Sequence, residues 1–274
     1  MTSAGSCRVA FSLRPGHTVM VSVPTHLEPA LRCVFPDDQA DIADVEPDIL
    51  LKEVPGGRFQ LYVGGHAAAD PVADRGEGLG QVELMLAEAL VTDIPGHRVL
   101  HAGGANLDGR AVLLSGHGGS GKSTLSAALA LRGLPVFGDD VVLVNLDSGL
   151  VSPIRRRLKV MEEPRKALGI QRQDTPLDEL WPEAVYLHPS DLGSRWAEPS
   201  PVGLVAFPTW SGDPAGEASL TPIPGAASMQ RLLFQLLLIN RHGAEEVDLI
   251  ATLLEEARTF EISWGDGHLG ARAG

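Results

Sequence analysis

Apolar positions fall into two patterns along this chain: short β-type runs at the start, then an alternation of helical periods and β-type runs. Residues 8 to about 65 are strand-rich. Val19–Val23 and Leu31–Phe35 are short β-type runs, and Ile49–Val54, Pro55-Gly56-Gly57 and Phe59–Val63 spell out a hairpin. Residues 66–78, rich in Gly, Ala and Asp, break the pattern as a linker would. Beyond them the apolar spacing predicts a helix over Leu79–Val91. Strands follow at Arg98–Ala102 and Arg110–Ser115, around the turn Asn106-Leu107-Asp108-Gly109. A helix over Lys122–Arg132 closes at Gly133, and two β-type runs lie between Leu134 and Val144. Val202–Phe207 reads as a strand, Ala226–Leu238 and Glu245–Arg258 as helices, and Thr259–Trp264 as a strand, all of them core and packing. This predicts a strand-rich N-terminal region with its linker over residues 1–78 and an α/β domain over residues 79–274.

One junction carries chemistry. Gly116-His117-Gly118-Gly119-Ser120-Gly121-Lys122-Ser123 satisfies G-x-x-x-x-G-K-[ST] between the strand Arg110–Ser115 and the helix that begins at Lys122. Glycines there let backbone N–H groups close around phosphate oxygens, and the helix N-terminus adds its dipole. Lys122 can reach the β- and γ-phosphates, and the Ser123 hydroxyl can ligate Mg²⁺. The pattern predicts a nucleoside triphosphate site.

Composition narrows the classes. The 274 residues are 44% apolar, enough for a full core and a soluble globular protein. A formal net charge of −13 disfavours nucleic acid and anionic membranes as partners, so anionic ligands must be held locally. The acidic stretch Asp37–Glu46 reads as a solvated loop. Cys7 and Cys33 lie outside any C-x-x-C spacing, so no disulfide framework or thiolate zinc site is signalled, which fits a cytoplasmic setting. No leader pattern opens the chain, and the longest largely apolar run, Leu232–Ile239, is too short to span a bilayer.

Two further features bear on the loop. Asp139 and Asp140 sit between β-type runs shortly after the loop helix. In isolation an acid pair in a turn is an ordinary surface feature. Beside a phosphate loop, one acid can serve the metal and the other can deprotonate an attacking hydroxyl. Arg155, Arg156, Arg157 and Lys159, with Arg165 and Lys166, make the one dense basic stretch. It reads either as a solvated face or as donors, Arg155 and Arg157 among them, for triphosphate oxygens or an acidic acceptor.

Leu100-His101-Ala102, Ala111–Gly116, the loop, Ser123-Thr124-Leu125 and Gly138-Asp139-Asp140-Val141 together resemble the catalytic core of HPr kinase/phosphorylase and its HPr-kinase-related relatives. The resemblance covers roughly residues 98–145. Pro153–Lys159 and Ser263-Trp264-Gly265-Asp266 are similar to further segments of those kinases. The N-terminal region does not match that of the HPr kinases. Their downstream glycine-rich signature, associated with the reverse phosphorolysis, is not found between residues 145 and 210.

The resemblance implies a phosphoenolpyruvate-carboxykinase-like mixed-sheet core and an ATP- and Mg²⁺-dependent kinase acting on a hydroxyl, most simply Ser or Thr of a protein or peptide. Gly116, Gly118, Gly119, Ser120, Gly121, Lys122, Ser123 and Thr124 would hold the nucleotide, and Ser123 and Asp139 would hold Mg²⁺. Asp140 would be the base, with His101 close to the transferred group. A small-molecule kinase of the same fold and a non-catalytic ATP-sensing module stay open, as does a homo-oligomer. A Leu-Ser-Gly-Gly-Gln transporter signature and a guanine-reading Asn-Lys-x-Asp are both absent from the sequence.

Overall fold

A computed structural model of the chain describes residues 5–14, 17–35, 39–40, 45–91, 96–211, 218–237 and 243–265. Most of the acidic stretch Asp37–Glu46, the end of the run Leu232–Ile239 and Asp266 lie outside the described residues. The protein is mixed α/β with several sheets, and no barrel closes among the described strands. Its chain forms two compact units. One gathers Met1–Thr92, Arg155–Arg157 and Gln173–Tyr186; the other gathers Asp93–Ile154, Leu158–Arg172 and Leu187–Gly274. No helix among the described residues is long and apolar enough to cross a membrane.

The first unit is a six-stranded sheet. Gln39–Ala40, Ser6–Arg14, His17–Pro24, Ile49–Val54, Arg58–Val63 and His66–Ala67 lie side by side in that order. The predicted hairpin is present in full register, from Ile49 opposite Val63 to Val54 opposite Arg58. The β-type run Leu31–Phe35 is instead part of an α-helix, Glu28–Val34. Pro29 fits the first helical turn, Glu28 pairs with Arg32 one turn on, and Ala30, Leu31 and Val34 share the buried side. The expected linker is structured as well. His66–Ala67 adds an edge strand, and the helix expected from Leu79 begins at Arg75. Its glycines are there for contact: a Cβ on Gly76 would come within 2.7 Å of the Leu180 carbonyl oxygen, and one on Gly78 within 3.1 Å of Phe59 Cβ. The expected boundary at residue 78 thus falls inside this helix. Phe11, Leu27, Leu31, Leu51, Leu79 and Tyr186 fill the core.

In the second unit, Val136–Gly138, Ala102–Leu107, Arg110–Ser115, Val202–Trp210, Arg258–Trp264 and Ser219–Pro222 form a six-stranded sheet in that order. Arg110–Ser115, Val202–Trp210 and Arg258–Trp264 run parallel. A smaller antiparallel sheet joins Val151–Pro153, Val142–Asn145 and His97–Leu100. The chain predicted as one strand over Arg98–Ala102 breaks at His101 and passes from the small sheet into the large one. There it forms a hairpin whose turn residues Asp108 and Gly109 both have positive φ, 51° and 79°. The C-terminal ends of the three parallel strands, where ligands meet such sheets, are the loop after Ser115, Thr209-Trp210 and Ser263-Trp264.

Candidate functional site

The phosphate loop is built by the strand Arg110–Ser115 and the helix Lys122–Leu131. The strand is buried at Ala111, Leu113, Leu114 and Ser115, which fixes where the loop leaves the sheet. Gly121 caps the helix with φ 97°, a left-handed conformation costly for any side chain, and a Cβ there would run into the Trp264 indole. Trp264 is thus the floor beneath the loop. It is 5% exposed, and its Nε1 has no hydrogen-bond partner. The same is true of Ser120 Oγ inside the loop.

Lys122 shows what the loop is shaped to hold. Its side chain is buried, and Nζ donates to the carbonyl oxygens of Gly116 at 2.7 Å and His117 at 3.1 Å. The ammonium is therefore drawn across the loop by the loop's own backbone. Burial pulls its pKa below the ordinary lysine value, against the opposing fields of Asp140 and Asp139. Both carboxylates of the pair thus act on this one cation. A buried ammonium, an orphaned hydroxyl and a glycine cradle fit a polyanion.

Asp139 and Asp140 follow the strand Val136–Gly138 and differ sharply in setting. Asp139 is 3% exposed, and its Oδ2 accepts the Lys159 backbone N–H at 3.2 Å. Gly103 is what admits it: a Cβ at Gly103 would lie 2.9 Å from both Asp139 Cα and O, and 2.5 Å from Ser126 Oγ. Asp140 is more open, and its Oδ1 lies 2.9 Å from His101 Nε2. His101 occupies the break between the two sheets. Its backbone N–H donates to Gln235 O at 2.7 Å, and its carbonyl accepts from Ser115 Oγ at 3.3 Å. Thirty-nine residues apart in sequence, His101 and Asp140 are one hydrogen-bonded pair.

Among the described residues no cluster of three or more His, Cys, Asp and Glu forms a metal site from protein groups alone. Thr124 lies buried in the first helical turn. The basic stretch is divided: Arg155–Arg157 belong to the first unit, and Lys159, Arg165 and Lys166 to the second. Arg156 pairs with Glu83 at 2.8 Å, both side chains being 14% exposed. Arg157 donates through its guanidinium to Tyr186 O and through its backbone to Val34 O, while Arg155 is exposed.

Beside the first half of the loop opens a cleft of about 520 Å³, walled by Phe207–Trp210, Arg231, Phe234, Gln235 and Glu261. None of these residues stands out in the sequence. Phe234 lies in a largely apolar run and itself reads as core, and only the end of the helix Gly225–Leu233 turns it outward. No family model matches the chain, and no curated protein matches it.

Proposed function

We propose that the protein is an ATP- and Mg²⁺-dependent kinase, similar to the HPr-kinase-related group and its phosphoenolpyruvate-carboxykinase-like core, that phosphorylates a hydroxyl, most simply a Ser or Thr side chain. The observation that carries this reading is the joining of His101 and Asp140 beside a phosphate loop whose lysine feels both acids of the pair. A loop alone would serve a nucleotide sensor. A carboxylate held by an imidazole at its side is what a proton transfer needs.

Gly116 to Gly121 would cradle the phosphates through backbone N–H groups, with Lys122 on the terminal pair of phosphates and Thr124 at the helix N-terminus. Ser123 and Asp139 would hold Mg²⁺, which offsets the charge of the triphosphate when bound. Asp140 takes the proton of the acceptor hydroxyl as that oxygen bonds to the γ-phosphorus and the β–γ bridging bond breaks, releasing a nucleoside diphosphate. His101 fixes the rotamer of Asp140 for this.

The test is a pair of variants read by thermal shift and turnover. Mg²⁺ with ATP raises the melting temperature of the wild type, by RT ln(1 + [L]/Kd) in free energy, and Lys122→Ala removes most of that rise. Asp140→Asn keeps the rise but lowers phosphoryl transfer by about 10²- to 10⁴-fold. An undiminished shift in Lys122→Ala rejects the nucleotide site, and full turnover in Asp140→Asn rejects the base.

A further inference from the structure

The cleft beside the loop lies at a particular end of it. Its walls include Ser115 to Ser120, the first half of the loop, and none of Gly121 to Leu125, the helical turn along which a triphosphate leads back to its nucleoside. The Lys122 ammonium, the group that reaches terminal phosphates, is bonded to Gly116 and His117, which line the cleft. The backbone carbonyl of Gln235, another lining residue, accepts the His101 backbone N–H, and Ser115 Oγ donates to the His101 carbonyl. A molecule in this cleft therefore lies against the residues that hold the Lys122 ammonium and the His101 backbone.

The cleft's chemistry is charge-balanced and aromatic. Phe234 is 73% exposed, more than any other large apolar side chain among the described residues, and Trp210 is 47% exposed. The cation of the wall is neutralised: Arg231 pairs with Glu261 at 2.9 Å and lies over the Phe207 ring at 5.2 Å. Exposed aromatic surface at a polar-rimmed cleft marks a binding surface, and its balanced charge selects neither an acidic nor a basic occupant.

We infer that this cleft is the acceptor site, and that it takes a hydroxyl-bearing peptide segment whose residue next to the Ser or Thr is apolar, seated against Phe234 and Trp210. The inference rests on the kinase reading above. It locates acceptor selection on the loop's own unit rather than on the basic run at Arg155–Arg157.

Three blocked dipeptides test it: serine followed by phenylalanine, by aspartate or by lysine. Each is titrated into the full-length protein with Mg²⁺ and a non-hydrolysable ATP analogue, and each is assayed as acceptor with ATP. The phenylalanine peptide should bind about tenfold more tightly than the other two, and Phe234→Ala should abolish that preference while leaving analogue affinity unchanged. Phe234 is exposed, so the variant tests binding and not folding. Analogue binding with equal affinity for the three peptides, with a charged preference, or with no peptide bound overturns the acceptor assignment alone. A Phe234→Ala variant that loses analogue affinity and keeps the peptide preference places the nucleoside in the cleft and likewise overturns it. Failure of the wild type to bind the analogue rejects the kinase reading itself, and the acceptor site with it.

Discussion

At the residue scale, the site depends on close approaches that side chains would prevent. Gly103 leaves room for the Asp139 backbone and the Ser126 hydroxyl beside it, while the Asp139 carboxylate accepts the Lys159 N–H. Gly103→Ala should cost about 1–3 kcal/mol, because a methyl group must displace backbone at Asp139 and has no open space to enter. It should also weaken the Mg²⁺ dependence of nucleotide binding. Gly118→Ala is the control for stability, since a Cβ there meets nothing within 4 Å. Chemical denaturation of both variants checks this: equal midpoints would mean that the Gly103 contact is soft. Such contacts are invisible in the sequence. Its local patterns name the loop, Lys122 and both acids, because those lie within one strand–loop–helix and the turn after it. The bond from His101 to Asp140 and the Trp264 floor join segments 39 and more residues apart.

At the element scale, the helix Ala244–Glu255 is tied down at its start by one carboxylate. Glu246 accepts the Gly243 N–H at 2.7 Å and the Arg98 guanidinium at 3.0 Å, and its side chain is 5% exposed. Burial alone would raise its pKa, but the Gly243 and Arg98 hydrogen bonds outweigh burial and hold it below the ordinary value of 4.5. A depressed carboxyl contributes stability above its unfolded-state pKa and loses it as pH falls through the folded value. Glu246→Gln keeps an acceptor for Gly243 but not the ion pair, so it should cost about 2 kcal/mol near neutral pH. The gap to wild type should narrow as pH drops below 4.5. A gap that stays constant from pH 7 to 3 would show that shape, not charge, matters at this helix start. Elements of this kind were legible where apolar periods ran long, as in Glu245–Arg258. They were misread where glycines or a short run blurred the period: Leu31–Phe35 is helical, and Gly76 and Gly78 belong to a helix rather than to a linker.

At the scale of the whole molecule, the order of segments in the chain does not match their grouping in space. The first unit is completed by Arg155–Arg157 and Gln173–Tyr186, which come after the phosphate loop in sequence. Tyr186 and Leu177 are each 1% exposed in a core shared with Leu79, Val82 and Leu86. Arg156 is matched there by Glu83. A composition-based reading has no means of seeing this, because a boundary placed where Gly and Asp cluster assumes that one unit ends before the next begins. The consequence is testable by truncation. A chain beginning at residue 93 keeps the loop, His101 and both acids, yet leaves Tyr186, Leu177 and Arg156 without the sheet and helix that bury them. Exposing apolar side chains of that size costs about 2 kcal/mol each, and Arg156 loses its part-buried ion pair with Glu83. The truncated protein should therefore aggregate or lose its cooperative transition on heating, and the ATP-dependent rise in melting temperature should vanish with it. A soluble fragment that melts cooperatively and still responds to Mg²⁺ with ATP would show that residues 1–92 are dispensable to the unit that carries the loop.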